Sequence, residues 1–378
     1  MKKVAIFSAN YFPHLGGVER YTYNVAKKLN DMGYKIYIVT CNYNGALKRK
    51  ETTEIATIYR VPNYKIFSSR YPINKKNKES KQIFKELENE KIDYAIIQTR
   101  FWVMSYVASK FVHKNNIPSF LIEHGSAHFT VYNKILDFFG ERYEHAITKS
   151  IKNRINNYYG VSNRCNEWLT HFGIEAKGVL YNSIDTEIKQ KYQNKINKDN
   201  GKIKITFIGR MIEEKGVTKL IDAFKDLETS HTNIELYLAG DGPIYERIKS
   251  ENKENKRIHV LGSLDHNGVL ELLAETSIFV NPSNFAEGLP TTILEAGLLE
   301  CAIIATPMGG TTEVISNESL GLICKSETND IKEKIKILLQ DKNRIESLGK
   351  NISSRIQAQF SWDNTAKKIK EIIEKEVQ

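Results

Sequence analysis

Short apolar runs alternate along this chain with longer stretches whose apolar residues recur every three or four positions. Bursts of four to six apolar or β-branched residues predict strands, and the 3.6-residue rhythm predicts amphipathic helices. In the first half the runs fall at Val4–Ser8, Lys35–Thr40, Asp93–Gln98, Phe120–Ile122, Tyr158–Val161 and Gly178–Leu180. Between them the pattern predicts helices at Val18–Asp31, Glu79–Glu90, Val103–Asn115 and Arg164–Phe172. The second half repeats the alternation, with strands at Ile203–Ile208, Glu235–Ala239, Ile258–Leu261, Ile278–Asn281, Ala302–Ala305 and Gly321–Ile323. Its helices are expected at Val217–Leu227, Tyr245–Asn252, Asn267–Glu275, Pro290–Leu299 and Asn329–Leu339, with a last one at Trp362–Lys375. Strands separated by helices of this length predict an α/β protein built of β-α units on parallel sheets.

Residues 184–202 break the rhythm. They are polar, rich in Lys and Asn, and lack a sustained apolar face, which predicts a linker. A chain of 378 residues is comfortable for two cores. The expected layout is therefore a first domain over 1–183, a linker over 184–202, a second domain over 203–359 and a terminal helix over 360–378.

Charge separates the halves. Residues 1–180 hold 28 Lys and Arg against 15 Asp and Glu, whereas residues 181–378 hold 27 against 30. A basic first half suits an anionic or membrane-borne partner, or simply a well-solvated Lys-rich surface. Nucleic acid ranks last as that partner, because no recognised nucleic-acid module and no repeat of aromatic with basic residues is present. The four cysteines, Cys41, Cys165, Cys301 and Cys324, are far apart, which argues against a disulfide framework and against a zinc site and fits a cytoplasmic protein. No run reaches the roughly 20 apolar residues needed to cross a bilayer, so membrane contact is expected only at the periphery. The stretch from Lys65 to Phe84, mixing Ile66, Phe67, Tyr71 and Ile73 with Lys75, Lys76, Lys78 and Lys81, is the candidate for contact with anionic lipid, and equally reads as a solvated basic loop.

Three stretches carry candidate chemistry. Gly16 and Gly17, in YFPHLGGVER, follow the first strand and open a helix, where free amides and the helix dipole favour an anion. Arg210 and Lys215, in FIGRMIEEKGV, follow a strand end, where α/β proteins bind ligands; a guanidinium fork and an ammonium can neutralise a diphosphate. In NFAEGLPTTILEAG, Pro290 suits the first turn of a helix, so Gly288, Leu289, Pro290, Thr291 and Thr292 should present amides to an anion. Glu287 precedes that helix and Glu295 lies inside it, two carboxylates able to accept hydrogen bonds from vicinal hydroxyls. His124, in EHGS, follows a first-half strand. Taken singly, each has a plain structural explanation: a tight turn, solvated loop cations, a capping carboxylate, a strand-end histidine.

Together, in this order, they resemble the retaining glycosyltransferases of family four, with the GT-B fold: two Rossmann-like β/α/β domains facing across a cleft. The resemblance runs from Gly16, Gly17 and Glu19 to the closing FSWDNTAKKI segment, and its most specific part is Glu287 with Glu295, preceded by Arg210 and Lys215. It implies that Glu295 binds the donor ribose, that Glu287 and His124 reach the transferred sugar, and that Arg210 and Lys215 clamp the diphosphate. It further implies that Gly16 and Gly17 close over the phosphates, that the backbone near Gly262, Ser263 and Leu264 recognises the base, and that the last helix returns to the first domain. Ser183, in YNSID, stands where the family has Gly in an interdomain turn, and Glu287 is followed directly by Gly-Leu-Pro rather than by a longer Gly-Phe-Gly-Leu-Pro.

The implied function is retaining transfer of a hexose or N-acetylhexosamine from a nucleoside diphosphate sugar, uridine being the commonest base. The acceptor would be a saccharide or lipid-linked saccharide in cell-surface polysaccharide or glycolipid assembly, on the inner face of the membrane. No cofactor or metal is expected, since the chain has no Asp-x-Asp to hold a divalent ion on a diphosphate. An epimerase of the same fold and a nucleotide-sugar-binding protein without catalysis are the rival readings.

Overall fold

A computed structural model of the chain describes residues 1–376 apart from 43–44, 67–70, 130–132, 197–200 and 286–287. It divides into two compact units, Met1–Asn182 with Trp362–Gln378, and Ser183–Ser361.

The first unit contains β1 (Lys3–Phe7), β2 (Lys35–Cys41), β3 (Lys50–Thr52), β4 (Thr57–Val61), β5 (Asn63–Ile66), β6 (Tyr71–Asn74), β7 (Tyr94–Gln98), β8 (Ser119–Glu123) and β9 (Asn157–Gly160). Seven of these form a sheet in the order β3-β4-β2-β1-β7-β8-β9, and β5 and β6 make a separate antiparallel hairpin. Every pairing in the large sheet is parallel except β3 with β4. Helices cover both faces, so strands such as Val4–Phe7 are apolar at every position rather than at alternate ones. One face is closed by Tyr21, Val25 and Leu29 of the helix Gly17–Asp31 and by Trp362, Ile369 and Ile373 of the terminal helix Trp362–Glu376. The other is closed by helices Lys78–Asn89, Val103–Lys114 and Lys134–Lys152.

The second unit holds β10 (Ile203–Ile208), β11 (Ile234–Ala239), β12 (Ile258–Gly262), β13 (Ile278–Asn281), β14 (Ala302–Ala305) and β15 (Leu322–Ile323). All are parallel, in the order β12-β11-β10-β13-β14-β15. The chain thus winds outward one way from β10 and the other way from β13. The switch point of a doubly wound sheet lies between those two strands.

Several expectations are corrected. Gly178–Leu180 is not a strand: it makes a single bridge, Val179 to Gly160, and Gly178 turns the backbone at φ 157°. Residues 184–202 do not form a bare linker, since Glu187–Tyr192 is helical, with Tyr192 buried, and the segment is part of the second unit. The strands β3 and β4 escape notice in the sequence because β4 buries Arg60, which is neutralised by Glu51 of β3 at 2.7 Å. Helix Lys342–Gln359 is a further element beyond those expected, although its apolar positions recur every three or four residues. Its apolar positions Ile345, Leu348, Ile352 and Ile356 are separated by polar residues and by Gly349, where a Cβ would overlap the Glu300 carbonyl.

Candidate functional site

In the second unit the loops leaving β10 and β13 meet at the switch point. Asn284 N–H donates to the Glu214 carbonyl at 2.7 Å. Gly216 adopts φ 71° and ends the turn Glu213–Lys215, and a Cβ there would overlap the Pro282 carbonyl. Only glycine allows both the left-handed conformation and the close approach. Gly240, after β11, is placed against the Gly209 carbonyl in the same way, with φ 137°. These contacts fix the loop that carries Arg210, which is exposed, and Lys215, which is half-buried. The Lys215 ammonium stands 5.1 Å from the Phe285 ring centroid, and burial brings its pKa down to about 8.

Glu295 lies in the helix Thr291–Leu298 and is buried. Its Oε1 meets Nε2 of His266 at 3.0 Å, and His266 opens the helix His266–Ala274, capped by Asp265 accepting from Gly268 N–H at 2.7 Å. A buried carboxylate held by one imidazole keeps acceptor capacity on its other oxygen. Pro290 is the residue before that first turn, not within it; the helix begins at Thr291, and Gly288 and Leu289 form the turn leading in. Gly288 is fixed there by its carbonyl, which accepts from Gly310 N–H at 2.7 Å. Ser263, exposed, and Leu264, half-buried, follow β12, where Gly262 takes φ 74°. Glu287 lies outside the described residues.

In the first unit Gly16 and Gly17 stand where expected, at the start of the helix after β1, but this terminus already faces a carboxylate. Glu19 is buried against it and pairs with Nδ1 of His14 at 2.9 Å. A Cβ on Gly16 would overlap the Glu19 carboxylate, whereas one on Gly17 would meet no atom within 4 Å. The expected anion site is thus partly satisfied by the chain itself, and only Gly17 borders open space.

His124 follows β8, with Nε2 2.6 Å from Gln98 Oε1 and its ring edge-on to Tyr21. Burial pushes its pKa down to about 3, so it serves as a neutral hydrogen-bonding group at ordinary pH. Its loop is anchored by Glu123, whose Oε1 accepts from His124 N–H at 3.1 Å and Gly125 N–H at 3.0 Å. Neither His266 nor Gln98 stood out in the sequence; nothing in local spacing links either residue to its partner.

A cavity of 910 Å³ opens in the first unit between β6 and the helices Lys78–Asn89, Val103–Lys114 and Lys134–Lys152. Ile73, Phe84, Val103 and Ile147 line it, and Lys75, Lys76, Lys81, Lys85 and Lys114 stand around it. Ile73 and Phe84 of the Lys65–Phe84 stretch thus face a cavity rather than forming an exposed apolar face; Phe67 lies outside the described residues. Ile135, Leu136, Phe138 and Phe139 of helix Lys134–Lys152 form a group of exposed apolar side chains. No helix among the described residues is long and apolar enough to cross a membrane.

Comparison with known proteins agrees with this architecture. Residues 15–188 match Glycosyltransferase Family 4, and residues 188–355 match Glycosyl transferases group 1. An uncharacterized glycosyltransferase of Methanocaldococcus jannaschii is 28% identical, across 99% of this chain and 98% of that protein. The phosphatidylinositol N-acetylglucosaminyltransferase GPI3 subunit of Saccharomyces cerevisiae is 25% identical, across 98% of this chain and 82% of that protein. Sucrose-phosphate synthase from Thermosynechococcus elongatus has the same fold, with a TM-score of 0.79 at 16% identity, covering 99% of each chain. The chain belongs to the family-four-like glycosyltransferases of the GT-B fold, enzymes with two Rossmann-like domains.

Proposed function

We propose that this glycosyltransferase moves an N-acetylhexosamine or hexose, with retention, from a nucleoside diphosphate sugar, uridine first among the bases, to a saccharide carried on an anionic lipid. Glu295 is the observation that carries the donor half: a buried carboxylate, oriented by His266, on the helix that starts beside the switch point. It is suited to a ribose diol. Arg210, Lys215 and the amides of Gly288–Thr292 take the diphosphate as it leaves, placing positive charge and N–H dipoles where negative charge builds. The acceptor hydroxyl attacks from the side on which the diphosphate departs, and a phosphate oxygen receives its proton, so the protein needs to position and stabilise rather than supply a nucleophile. Glu287, Gly17 and His124 are assigned to the sugar and phosphates by resemblance. No divalent ion is required on the diphosphate.

The acceptor half rests on the first unit, where an apolar cavity beside five lysines suits a lipid chain and its anionic head. The yeast relative, named for N-acetylglucosamine transfer to phosphatidylinositol, supports both the sugar and the lipid. Such an enzyme would work at the cytoplasmic face of a membrane in glycolipid or polysaccharide assembly.

The test is thermal stabilisation by a panel of nucleoside diphosphates and their sugars, on wild type and Glu295→Ala. A ligand at a hundred times its Kd adds about 2.7 kcal/mol of stability, several degrees in Tm. One nucleotide series is expected to stabilise the wild type and to lose its effect on Glu295→Ala. No shift with any nucleotide on folded protein would return the chain to a non-catalytic scaffold, and conversion of the donor sugar without acceptor would make it an epimerase.

A further inference from the structure

Three histidines of the first unit meet at one point, although they come from separate parts of the sequence. His128 follows the His124 loop, His145 is in helix Lys134–Lys152, and His171 ends helix Asn163–Thr170. One ring nitrogen from each lies within 4.8 Å of the others. Nε2 of His145 and Nε2 of His171 are 3.2 Å apart. Two imidazoles on a tetrahedral zinc, at about 2.0–2.1 Å each, place their nitrogens roughly 3.3 Å apart.

The surroundings fit a metal as well as the ligands do. His128 Nδ1 is 3.2 Å from Glu144 Oε2, which leaves Nε2 to ligate and supplies the carboxylate that metal-binding imidazoles commonly engage with their second nitrogen. Trp168 stacks on the His171 ring at an interplanar angle of 6° and fixes its plane. Beneath lies a buried ion group in which one cation serves two carboxylates: Arg100 Nε is 3.3 Å from Glu123, and Nη1 is 3.0 Å from Glu144. Above, a cavity of 430 Å³ is bordered by His145, His171, Thr148, Lys149 and Lys152, leaving room for water as a fourth ligand. Closing the third nitrogen onto the other two takes a shift of up to about 1.5 Å to reach tetrahedral spacing.

We propose that His128, His145 and His171 form a zinc-class metal site in the first unit, tied through Glu144, Arg100 and Glu123 to the loop that carries His124. Imidazole ligands select zinc over magnesium. The site is a positioning element for that loop. It is independent of the donor reading, since all of its residues belong to the first unit and none binds the nucleotide in that reading.

Full-length chain without any histidine tag, stripped with a chelator, is titrated with zinc chloride alone by calorimetry. One zinc per chain is expected, with affinity at least tenfold weaker in His145→Ala and in His171→Ala, both exposed positions that tolerate truncation. Cobalt(II) in place of zinc should give the visible absorption of a four-coordinate nitrogen and oxygen site, lost in the same variants. Circular dichroism and thermal melting of the stripped variants matching stripped wild type show that loss of metal is not loss of fold. Less than half an equivalent of zinc on wild type, or equal affinity in wild type and both variants, overturns the proposal.

Discussion

Lys215 holds its charge in surroundings that disfavour it. Burial lowers its pKa from 10.5 to about 8, so between those values the unfolded chain binds the proton that the folded chain has released. This residue's contribution to stability therefore rises with pH across that window, and its penalty is complete below pH 8. A diphosphate reverses the preference, since it binds the charged form. We expect nucleoside diphosphate affinity to fall as pH rises above about 8, and Lys215→Met to weaken binding and remove that part of the pH dependence. A charged hydrogen bond of about 1.5–3 kcal/mol makes the loss roughly 10- to 100-fold. Calorimetric titration from neutral to alkaline pH reads it, and equal affinity in mutant and wild type would remove Lys215 from the diphosphate. His124 differs in kind: with a pKa near 3 it stays neutral throughout, so it contributes hydrogen bonding rather than charge.

The helix Lys134–Lys152 is packed by its own unit along its second half only. Asn133 caps it, accepting from Ile135 N–H at 3.1 Å and Leu136 N–H at 3.2 Å, and Ile147 and Ile151 bury its second half. Its first half leaves Ile135 at 70% and Phe139 at 61% exposed, while Tyr143, Ala146 and Ile147 further along line the basic-rimmed apolar cavity. Aromatic and aliphatic side chains beside lysines suit an anionic interface. Vesicles rich in anionic lipid are expected to float the protein at low salt. The double variant Phe138→Ser with Phe139→Ser should bind about tenfold less, given that burying one such side chain contributes ~1.5–3 kcal/mol when complete. No lipid-dependent flotation by the wild type would leave the acceptor reading without a membrane.

At the scale of the whole molecule, the first unit is discontinuous. The chain leaves it after Asn182 and returns at Trp362, beside which Ile184 N–H donates to the Phe360 carbonyl at 2.8 Å. The returning helix packs its Trp362, Ile369 and Ile373 against the helix Gly17–Asp31, and Lys28 pairs with Asp363 at 2.7 Å. Burial of three large apolar side chains contributes about 5–9 kcal/mol as an upper estimate, comparable with the whole stability of a domain at about 5–15 kcal/mol. Deleting residues 362–378 should therefore unfold the first unit while the second, continuous over Ser183–Ser361, still responds to nucleotide. Hydrogen exchange resolved by peptide separates the two, and unchanged protection in the first unit would refute it.

Much of this was written locally. Apolar runs of four to six residues, buried on both faces, announced strands such as β1, β7, β10 and β14. Gly16 and Gly17 marked the passage from the first strand into a helix. The order of Gly16, Gly17, Arg210, Lys215 and Glu295 was also legible, since the residues of each motif are neighbours in the chain. What the sequence could not determine depends on pairs brought together over long separations. Arg60 sits on a buried strand only because Glu51 pairs with it across a sheet edge. His266 orients Glu295 from 29 residues away, and Gln98 meets His124 from 26. The histidine cluster draws on three elements, and no spacing rule connects them. Periodicity reports which face of an element is buried; only packing decides what that face meets, and these contacts set charge, proton affinity and ligand geometry.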